Sequence, residues 1–418
     1  MRIHRGTCVK QHPPNLGIQQ MPPPDDNPIT APTNLQSAVP VADLPSYAPV
    51  TRIPTKAIYN MSGAEFTCLV DQAYSTIIKW RTNLFKLPTG KAGKEFITEL
   101  TSWLHHYNCN TKSHAIALKV YFTLPALLLQ KPSRNSKAKD HLKKLEERIG
   151  IWREGNIQKL IQEGNAIQEK LVSGKQRTPD EISKSFAKLM LQGKINAALN
   201  LLSTENGGGV LPLTDQVLKD LQEKHPPAAP IQEGALILGP VNNVPPSYFD
   251  SIDEQMIAKA AQQTKGAGGP SHCDAKQYRH ILLSNKFKSE SKALREQISL
   301  LGRKLATSIL DPTTLEAFIC CRLLPLDKCP GIRPIGIGEV MRRLIGKSIG
   351  WVLKKDMTES AGPLQASGGL QGGAEAAIHA MKEIFDMDDT DAVILVDASN
   401  AFNTLNRQVA LHNVQRTC

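Results

Sequence analysis

The sequence predicts an α+β protein whose N-terminal region is helical and whose C-terminal part mixes helices with a few strands. Between about 57 and 203, apolar residues recur at 3.6-residue spacing, the pattern of amphipathic helices. Around Pro330-Gly331 two apolar runs flank a turn dipeptide, which predicts a β-hairpin. Near the C-terminal end, four apolar residues run into Asp397, which is typical of a short strand buried on both faces.

Composition divides the chain into four segments. Residues 1–55 are rich in proline and poor in large apolar residues, so they cannot bury enough surface to offset their chain entropy and are expected to be a disordered tail. The helical region covers 56–205, and a linker with one helix covers 206–249. The mixed α/β pattern occupies 250–418.

In the helical region we expect five to seven helices, of unassigned function. Phe96, Leu100, Trp103 and Leu104 illustrate the spacing of their apolar faces. The most apolar stretch, 115–130, is too short to cross a bilayer and contains a proline, which predicts a buried helix that is kinked or ends near that residue. The sequence therefore predicts no membrane partner.

The mixed part has the following expected elements. Helices are predicted near 252–263, 275–283, 290–309, 338–355 and 373–385, and strands near 318–327, 332–337 and 391–397.

The formal net charge is +11 at pH 7. Such an excess favours polyanionic partners, nucleic acid first, because each phosphate met by Lys or Arg releases a counterion. The segment 131–148 would place Lys137, His141 and Lys144 on one helix face. That face is either a phosphate-binding surface or an ordinary solvated helix.

The compartment is predicted from the cysteines and from the first residues. The chain has eight cysteines without any C-x-x-C pair, and MRIHRGTCVKQHPP has charge but no apolar core. We therefore expect no structural zinc site, no secretory signal, and reduced thiols in an intracellular protein, cytoplasmic or nuclear.

The predicted hairpin carries two cations that need an explanation. If its loop has two residues, Lys328 and Arg333 lie directly opposite each other, and like charges facing across strands are destabilising. A polyanion bound between them would explain the pair. The alternative is a wider loop with two exposed basic tips, because Pro-Gly favours turn types that suit a right-twisted hairpin poorly.

Asp397 would lie at the mouth of the sheet, where α/β proteins commonly bind ligands. Its carboxylate could hold a divalent metal, or it could only accept backbone N–H bonds in the turn. Ser399 or Asn400 would then cap a helix carrying Phe402 on its apolar side.

The order of three stretches resembles the reverse transcriptases of retrotransposons, of the non-LTR, LINE-like kind or related mobile elements. They are CRLLPLDK with RPIGIGEVMRRLIGKSI, then PLQASGGLQGGAEAAIHAM, then VILVDASNAFNTLNR. Upstream, 264–282 is similar to the G-P-x-x-x-D segment of these enzymes. The resemblance covers roughly 250–410 and implies the fingers and part of the palm of a right-hand polymerase fold.

The resemblance also implies roles for single residues. Asp397 matches the first metal-binding aspartate of the palm, and the carbonyl of Ala398 a minor ligand, for Mg²⁺ in two-metal nucleotidyl transfer. Phe402 matches the aromatic residue that excludes a ribose 2′-hydroxyl, with core packing as the alternative role. Lys328 and Arg333 match the cations that hold the triphosphate. The implied partners are an RNA template, a DNA primer and deoxynucleoside triphosphates.

The chain departs from the family after Asp397, where no second aspartate pair and no later glutamine-glycine motif follow. The acidic stretch 385–391 comes too early to supply the pair, and GKS at 346–348 lacks the glycine that a phosphate-binding loop requires. We therefore expect no polymerase activity from these 418 residues alone. The alternative function is a non-catalytic nucleic-acid-binding relic of a mobile element.

Overall fold

The residues described by the computed structural model cover most of the chain after its first segment. They are 63–171, 178–205, 209–328, 331–362, 365, 372–388, 390, 392, 394, 396–398 and 400–417. The predicted tail, 1–55, lies outside them. All described residues belong to one compact unit, Val50–Cys418.

The region 56–205 is helical, as predicted, and seven helices lie within its described residues. They are α1 (Gly63–Ile77), α2 (Lys91–Asn108), α3 (His114–Leu128), α4 (Ala138–Arg153), α5 (Ile157–Glu169), α6 (Pro179–Leu191) and α7 (Ile195–Glu205).

The rest of the chain adds further helices around one β-hairpin. The helices are α8 (Asp215–Glu223), α9 (Glu254–Gln263), α10 (Ala275–Leu283), α11 (Lys288–Thr307), α12 (Glu316–Ile319), α13 (Val340–Val352), α14 (Lys354–Ala361), α15 (Gly373–Phe385), α16 (Ala401–Thr404) and α17 (Arg407–Thr417). Short 3₁₀ turns cover Glu233–Ala235, Pro246–Phe249, Asn285–Phe287 and Pro312–Leu315.

Helices from both sides of the linker share one hydrophobic core. The periodic residues of α2 are buried, with Leu100 only 2% exposed. The end of α2 is also tied to α11, since the Asn108 amide donates to the Gln297 carbonyl at 3.0 Å and Lys304 donates to the Tyr107 carbonyl at 3.0 Å. The helical region therefore packs directly against the mixed part instead of standing apart from it.

The most apolar stretch forms α3, which contains Pro125 and ends three residues after it, as predicted. Every one of its residues from Val120 to Leu128 is buried. Within the described residues, no helix has both the length and the apolar composition that crossing a membrane requires.

Strands β1 (Cys321–Asp327) and β2 (Ile332–Gly338) pair antiparallel, which confirms the predicted hairpin. A short piece of the predicted linker extends the edge beside β1. The Leu211 amide donates to the Pro325 carbonyl at 2.8 Å, and the Asp327 amide donates to the Gly209 carbonyl at 3.1 Å.

A later stretch of the predicted linker, from Ala229 to Ile237, lies against the C-terminal helix α17 and the residue before it. The Asn406 amide donates to the Ala229 carbonyl at 2.8 Å, and the Asn413 amide donates to the Ala235 carbonyl at 2.9 Å. The Asn413 side-chain oxygen also accepts from the Ile237 amide at 2.9 Å. Asparagine side chains thus hold an extended segment that has few backbone partners of its own.

Replacement by alanine is expected to have opposite effects on stability at two helical glycines, Gly93 and Gly150. A Cβ on Gly93 would lie 2.0 Å from the Pro88 carbonyl oxygen and 3.0 Å from the Phe287 ring, whereas a Cβ on Gly150 would have nothing within 4 Å. We expect Gly93→Ala to lower the free energy of unfolding by about 1–3 kcal/mol, and Gly150→Ala to raise it by up to about 1 kcal/mol. Urea denaturation of both variants is the measurement, and equal effects would contradict this account of Gly93.

Candidate functional site

The segment 264–282 and the hairpin meet at a buried carboxylate, that of Glu339, which directly follows β2. Its two oxygens accept hydrogen bonds from Ser271, one from the backbone N–H at 2.7 Å and one from the hydroxyl at 2.7 Å. Glu339 is completely buried. The free-energy cost of burying this carboxylate is lower than that of an unpaired one, because both of its oxygens are hydrogen-bonded.

A glycine allows this close approach. A Cβ on Gly269 would lie 2.8 Å from the Glu339 nitrogen and 2.8 Å from the Gly338 carbonyl carbon. Both are backbone atoms, which cannot move aside as a flexible side chain would. The glycine before Pro270 is therefore required by packing between two chain segments.

Two arginines fasten the same loop through its carbonyl groups. Arg343, on α13, donates to the carbonyls of Lys265 and Ala267. Arg322, on β1, donates to the Gly268 carbonyl at 3.4 Å. The loop before Ser271 is thus held by strand β1 and by helix α13, which directly follows Glu339.

The surroundings of Glu339 decide its protonation. Burial raises its pKa to about 7, although the hydrogen bonds from Ser271 and the charges of Arg343 and Arg322 act in the opposite direction. The carboxyl group therefore changes its charge close to neutral pH, inside the fold.

Glu339 and Ser271 were missed as candidates by sequence reasoning. The signal that singled out Asp397, a carboxylate directly after an apolar strand, also applies to Glu339. Nothing in the linear sequence indicates that Ser271 lies beside it, because that pairing forms only through tertiary packing.

The register of the hairpin differs from the predicted one. Asp327 pairs with Ile332 and Arg333 pairs with Leu326, and the Lys328 amide donates to the Gly331 carbonyl at 3.1 Å. The prediction that Lys328 and Arg333 lie directly opposite each other is therefore wrong. The residue opposite Arg333 comes two positions before Lys328 in the chain, so the two like charges do not form a directly facing pair across the strands. Both side chains are exposed near the tip of the hairpin.

The predicted strand at 391–397 is not formed by the described residues of that stretch. Ile394 is 86% exposed and Val396 is 89% exposed, so these two apolar side chains are not buried. The physical reason is that a strand is stable only beside a hydrogen-bonded neighbour, and the sheet of the described residues contains β1 and β2 alone.

Asp397, Ala398 and Phe402 are all exposed, Phe402 to 92%. The predicted single helix after them is divided into α16 and α17. Ser399 lies outside the described residues, and Asn400 adopts a left-handed φ of 53° without a side-chain cap bond to α16. Core packing of Phe402 does not occur in this arrangement.

A small cleft connects the hairpin tip with the residues after Asp397. It has a volume of about 420 Å³ and is lined by Gly331 and Ile332, by Asp220 and the end of α8, and by Asn400. The Asn400 amide donates to the Lys224 carbonyl at 2.9 Å. Helix α8, from the predicted linker, thus stands between the two predicted site segments.

Within the described ranges, no group of three or more His, Cys, Asp or Glu side chains comes together as a metal site. Asp397 and the Ala398 carbonyl would supply only two of the six oxygens that Mg²⁺ takes. These residues alone do not make up a magnesium site.

Two of the basic side chains on helix α4, Lys144 and His141, already have partners within the protein. Lys144 lies 2.9 Å from Glu147 and 3.4 Å from Glu163. The His141 ring stacks on Phe85, with 4.6 Å between ring centroids. This face is therefore not a row of unpaired cations.

Comparison with known proteins gives no match: no protein-family model, no curated protein and no solved structure is significantly similar to this chain. A functional assignment therefore rests on the residues and on their arrangement.

Proposed function

We propose that the chain is part of a reverse-transcriptase-like polymerase of a mobile element, whose reaction is RNA-directed DNA synthesis from deoxynucleoside triphosphates. One observation carries the proposal. The segment 264–282 and the stretch RPIGIGEVMRRLIGKSI, residues 333–349, which the resemblance singles out separately, contact each other through Ser271 and Glu339. A chance likeness of two unrelated stretches would not require them to meet in the fold.

Lys328 and Arg333 are the proposed triphosphate contacts. Both are exposed near the tip of the hairpin, and they lie within a few residues of Gly331 and Ile332, which line a cleft together with Asn400. Charge-assisted hydrogen bonds to phosphate are roughly twice as strong as neutral ones. Asp397 and Ala398 are the proposed metal-side residues of a complete site, which needs further carboxylates to hold Mg²⁺.

A second candidate function is nucleic-acid binding without chemistry. Two observations favour it: Asp397 is exposed, and among the described residues it belongs to no group of three or more side chains that could hold a metal. In that case the affinity for nucleic acid falls as the salt concentration rises, and neither Mg²⁺ nor substitution of Asp397 changes it.

Nucleotide binding distinguishes the two functions. We expect Lys328→Gln/Arg333→Gln to weaken the binding of a fluorescent deoxynucleoside triphosphate, in the presence of Mg²⁺, by about tenfold or more, because a hydrogen bond to a charged group contributes about 1.5–3 kcal/mol. Equilibrium fluorescence anisotropy is the measurement.

The matched control is Lys184→Gln/Lys188→Gln on α6, which removes the same charge from exposed positions away from the hairpin. Equal effects of the two double variants, or no nucleotide binding by the wild-type chain, would reject the polymerase proposal. Primer extension by the 418-residue chain that Asp397→Asn abolishes would instead reject the view that this site is incomplete.

A further inference from the structure

A basic groove that contains none of the predicted site residues runs along helix α10. Its main cavity has a volume of about 730 Å³, within the range of roughly 300–1,000 Å³ that ligand sites occupy. One wall comes from the segment that contains Thr82, Leu84 and Lys86, and the other from α10 with Lys276 and Leu283.

The groove continues beyond this cavity. A smaller depression of about 220 Å³ shares Lys86 and His280 with it and extends to Thr89, Ala138 and His141. The two depressions thus form one elongated channel, which we call the α10 groove. It lies where the helical region meets the mixed part of the fold.

The charged side chains of the α10 groove are mostly basic. Lys86, Lys276 and Arg279 line it, against a single carboxylate, that of Asp274. The Asp274 carboxylate already has a partner, because it caps α10 by accepting a hydrogen bond from the backbone N–H of Gln277 at 2.8 Å. Arg279 is also committed, mainly to the Thr264 carbonyl at 2.9 Å.

Lys86 and Lys276 differ from the lysines that are paired elsewhere in the fold. Both are exposed, and neither ammonium group has a hydrogen bond or an ion pair with any described residue. Lys119, by contrast, lies 2.6 Å from Asp71, and Lys144 is paired as described above. Two lysine charges without a carboxylate partner in one concave channel create a local positive potential that attracts anions.

The walls of the α10 groove are held in place by hydrogen bonds. The side-chain amide of Gln277 donates to the Phe85 carbonyl at 2.7 Å, and His280 Nε2 donates to the Leu87 carbonyl at 2.9 Å. Since each carbonyl can only accept, His280 carries its proton on Nε2. The channel therefore exists before a ligand arrives, which lowers the entropic cost of binding.

We propose that the α10 groove binds the backbone of single-stranded nucleic acid through Lys86 and Lys276. A positively charged groove that follows the backbone is the usual form of such sites. Leu84 and Leu283 supply apolar surface for sugars and bases between the phosphates. A cavity of this volume admits one strand, but it is too small to enclose a double helix.

The test compares Lys86→Gln/Lys276→Gln with Lys184→Gln/Lys188→Gln in the full chain, with fluorescein-labelled oligo-U and oligo-dT as probes. In fluorescence anisotropy we expect the groove variant to bind about tenfold more weakly at low salt. Its slope of log K against log salt should be smaller by about 1.4, or about 0.7 for each phosphate that no longer meets a lysine. The α6 variant should change affinity less than about twofold, and Lys86→Arg/Lys276→Arg should retain binding.

Three results would overturn the proposal. The first is that the two glutamine variants weaken oligonucleotide binding equally. The second is that a blunt duplex of the same sequence binds as tightly as the single strand and depends on the same lysines. The third is that inorganic phosphate displaces the oligonucleotide at matched ionic strength. The last result would indicate a site for a small free anion. Unchanged melting temperatures would confirm that the exposed substitutions leave the fold intact.

This inference rests on the proposed function only in taking nucleic acid as the ligand. If oligonucleotide binding depends on Lys86 and Lys276 while nucleotide binding ignores Lys328 and Arg333, the groove stands and the polymerase proposal falls. The reverse pattern removes the groove and leaves the proposed function.

Discussion

Replacing Arg148 with alanine is expected to lower the free energy of unfolding by about 3–5 kcal/mol. The side chain is 1% exposed. Its guanidinium donates to the Leu128 carbonyl at 3.0 Å, to the Gln130 carbonyl at 2.7 Å and to the Glu163 carboxylate at 3.0 Å. Alanine would leave the buried carbonyls of Leu128 and Gln130 without this donor and Glu163 with Lys144 as its remaining cation, and it would open a cavity between α4 and the end of α3. Chemical denaturation monitored by circular dichroism measures the change.

Glu163 reports the same interaction through its titration. Burial opposes its ionisation, but the hydrogen bond and charge of Arg148, with the charge of Lys144, outweigh burial and hold the pKa of Glu163 below its ordinary value. A carboxyl of this kind contributes stability above its unfolded pKa and loses it as the pH falls through the folded pKa. The stability lost in Arg148→Ala should therefore shrink in acid.

Arg153→Ala is the matched control for Arg148→Ala. Arg153 pairs with Glu95 at 2.9 Å, but its side chain is 35% exposed. A solvent-exposed pair contributes about 0–1 kcal/mol. A similar loss for both arginines would mean that burial does not govern the energetics at Arg148.

Glu339→Gln is expected to remove a pH-dependent loss of stability from the wild-type protein. The pKa of Glu339 rises on folding from 4.5 to about 7, chiefly because of burial. Between these values the folded protein keeps a proton that the unfolded chain has released, so the free energy of unfolding falls as the pH rises. This group alone accounts for a fall of about 3 kcal/mol at most.

The measurement is the difference in unfolding free energy between wild type and Glu339→Gln at several pH values from about 4 to 8, taken from urea titrations. Titrations of other groups cancel in that difference. We expect it to change sigmoidally between pH 4.5 and about 7. A difference that stays constant with pH would show that Glu339 ionises normally in the folded state.

Ser271→Ala provides the companion variant for Glu339. It removes the hydroxyl donor but keeps the backbone N–H bond. Because hydrogen bonds to a carboxylate favour its charged form, their loss should raise the pKa of Glu339 further and extend the pH dependence upward. It should also lower stability by about 1 kcal/mol at neutral pH.

Local patterns predicted the helices well. Helix α10 was expected at 275–283 and occupies Ala275–Leu283, and α15 was expected at 373–385 and occupies Gly373–Phe385. A helix closes its hydrogen bonds within four residues, so its periodicity and end signals are present in a short stretch of sequence. The hairpin was predictable for the same reason, because its two strands are neighbours in the chain.

Elements that depend on distant partners were predicted poorly. The apolar run before Asp397 has the composition of a strand, but its described residues Ile394 and Val396 remain exposed because no strand of the described chain lies beside them. The hairpin register also differs from the predicted one, since Arg333 lies opposite Leu326 and not opposite Lys328. A turn centred one residue earlier in the chain was enough to change which side chains face each other.

The sequence by itself determined the helical character of the chain, the hairpin near Pro330, the excess of positive charge and a resemblance that singles out Asp397, Lys328 and Arg333. Only the tertiary structure decided that Ser271 binds Glu339 and that Lys86 and Lys276 line one groove. Helix periodicity and charge are properties of neighbouring residues and can be read locally. Ser271 and Glu339 are almost seventy residues apart in the chain, and Lys86 and Lys276 are almost two hundred apart. Such side chains come together only when whole elements pack. The hydrophobic effect that drives this packing is non-directional, so it does not itself specify which distant residues meet.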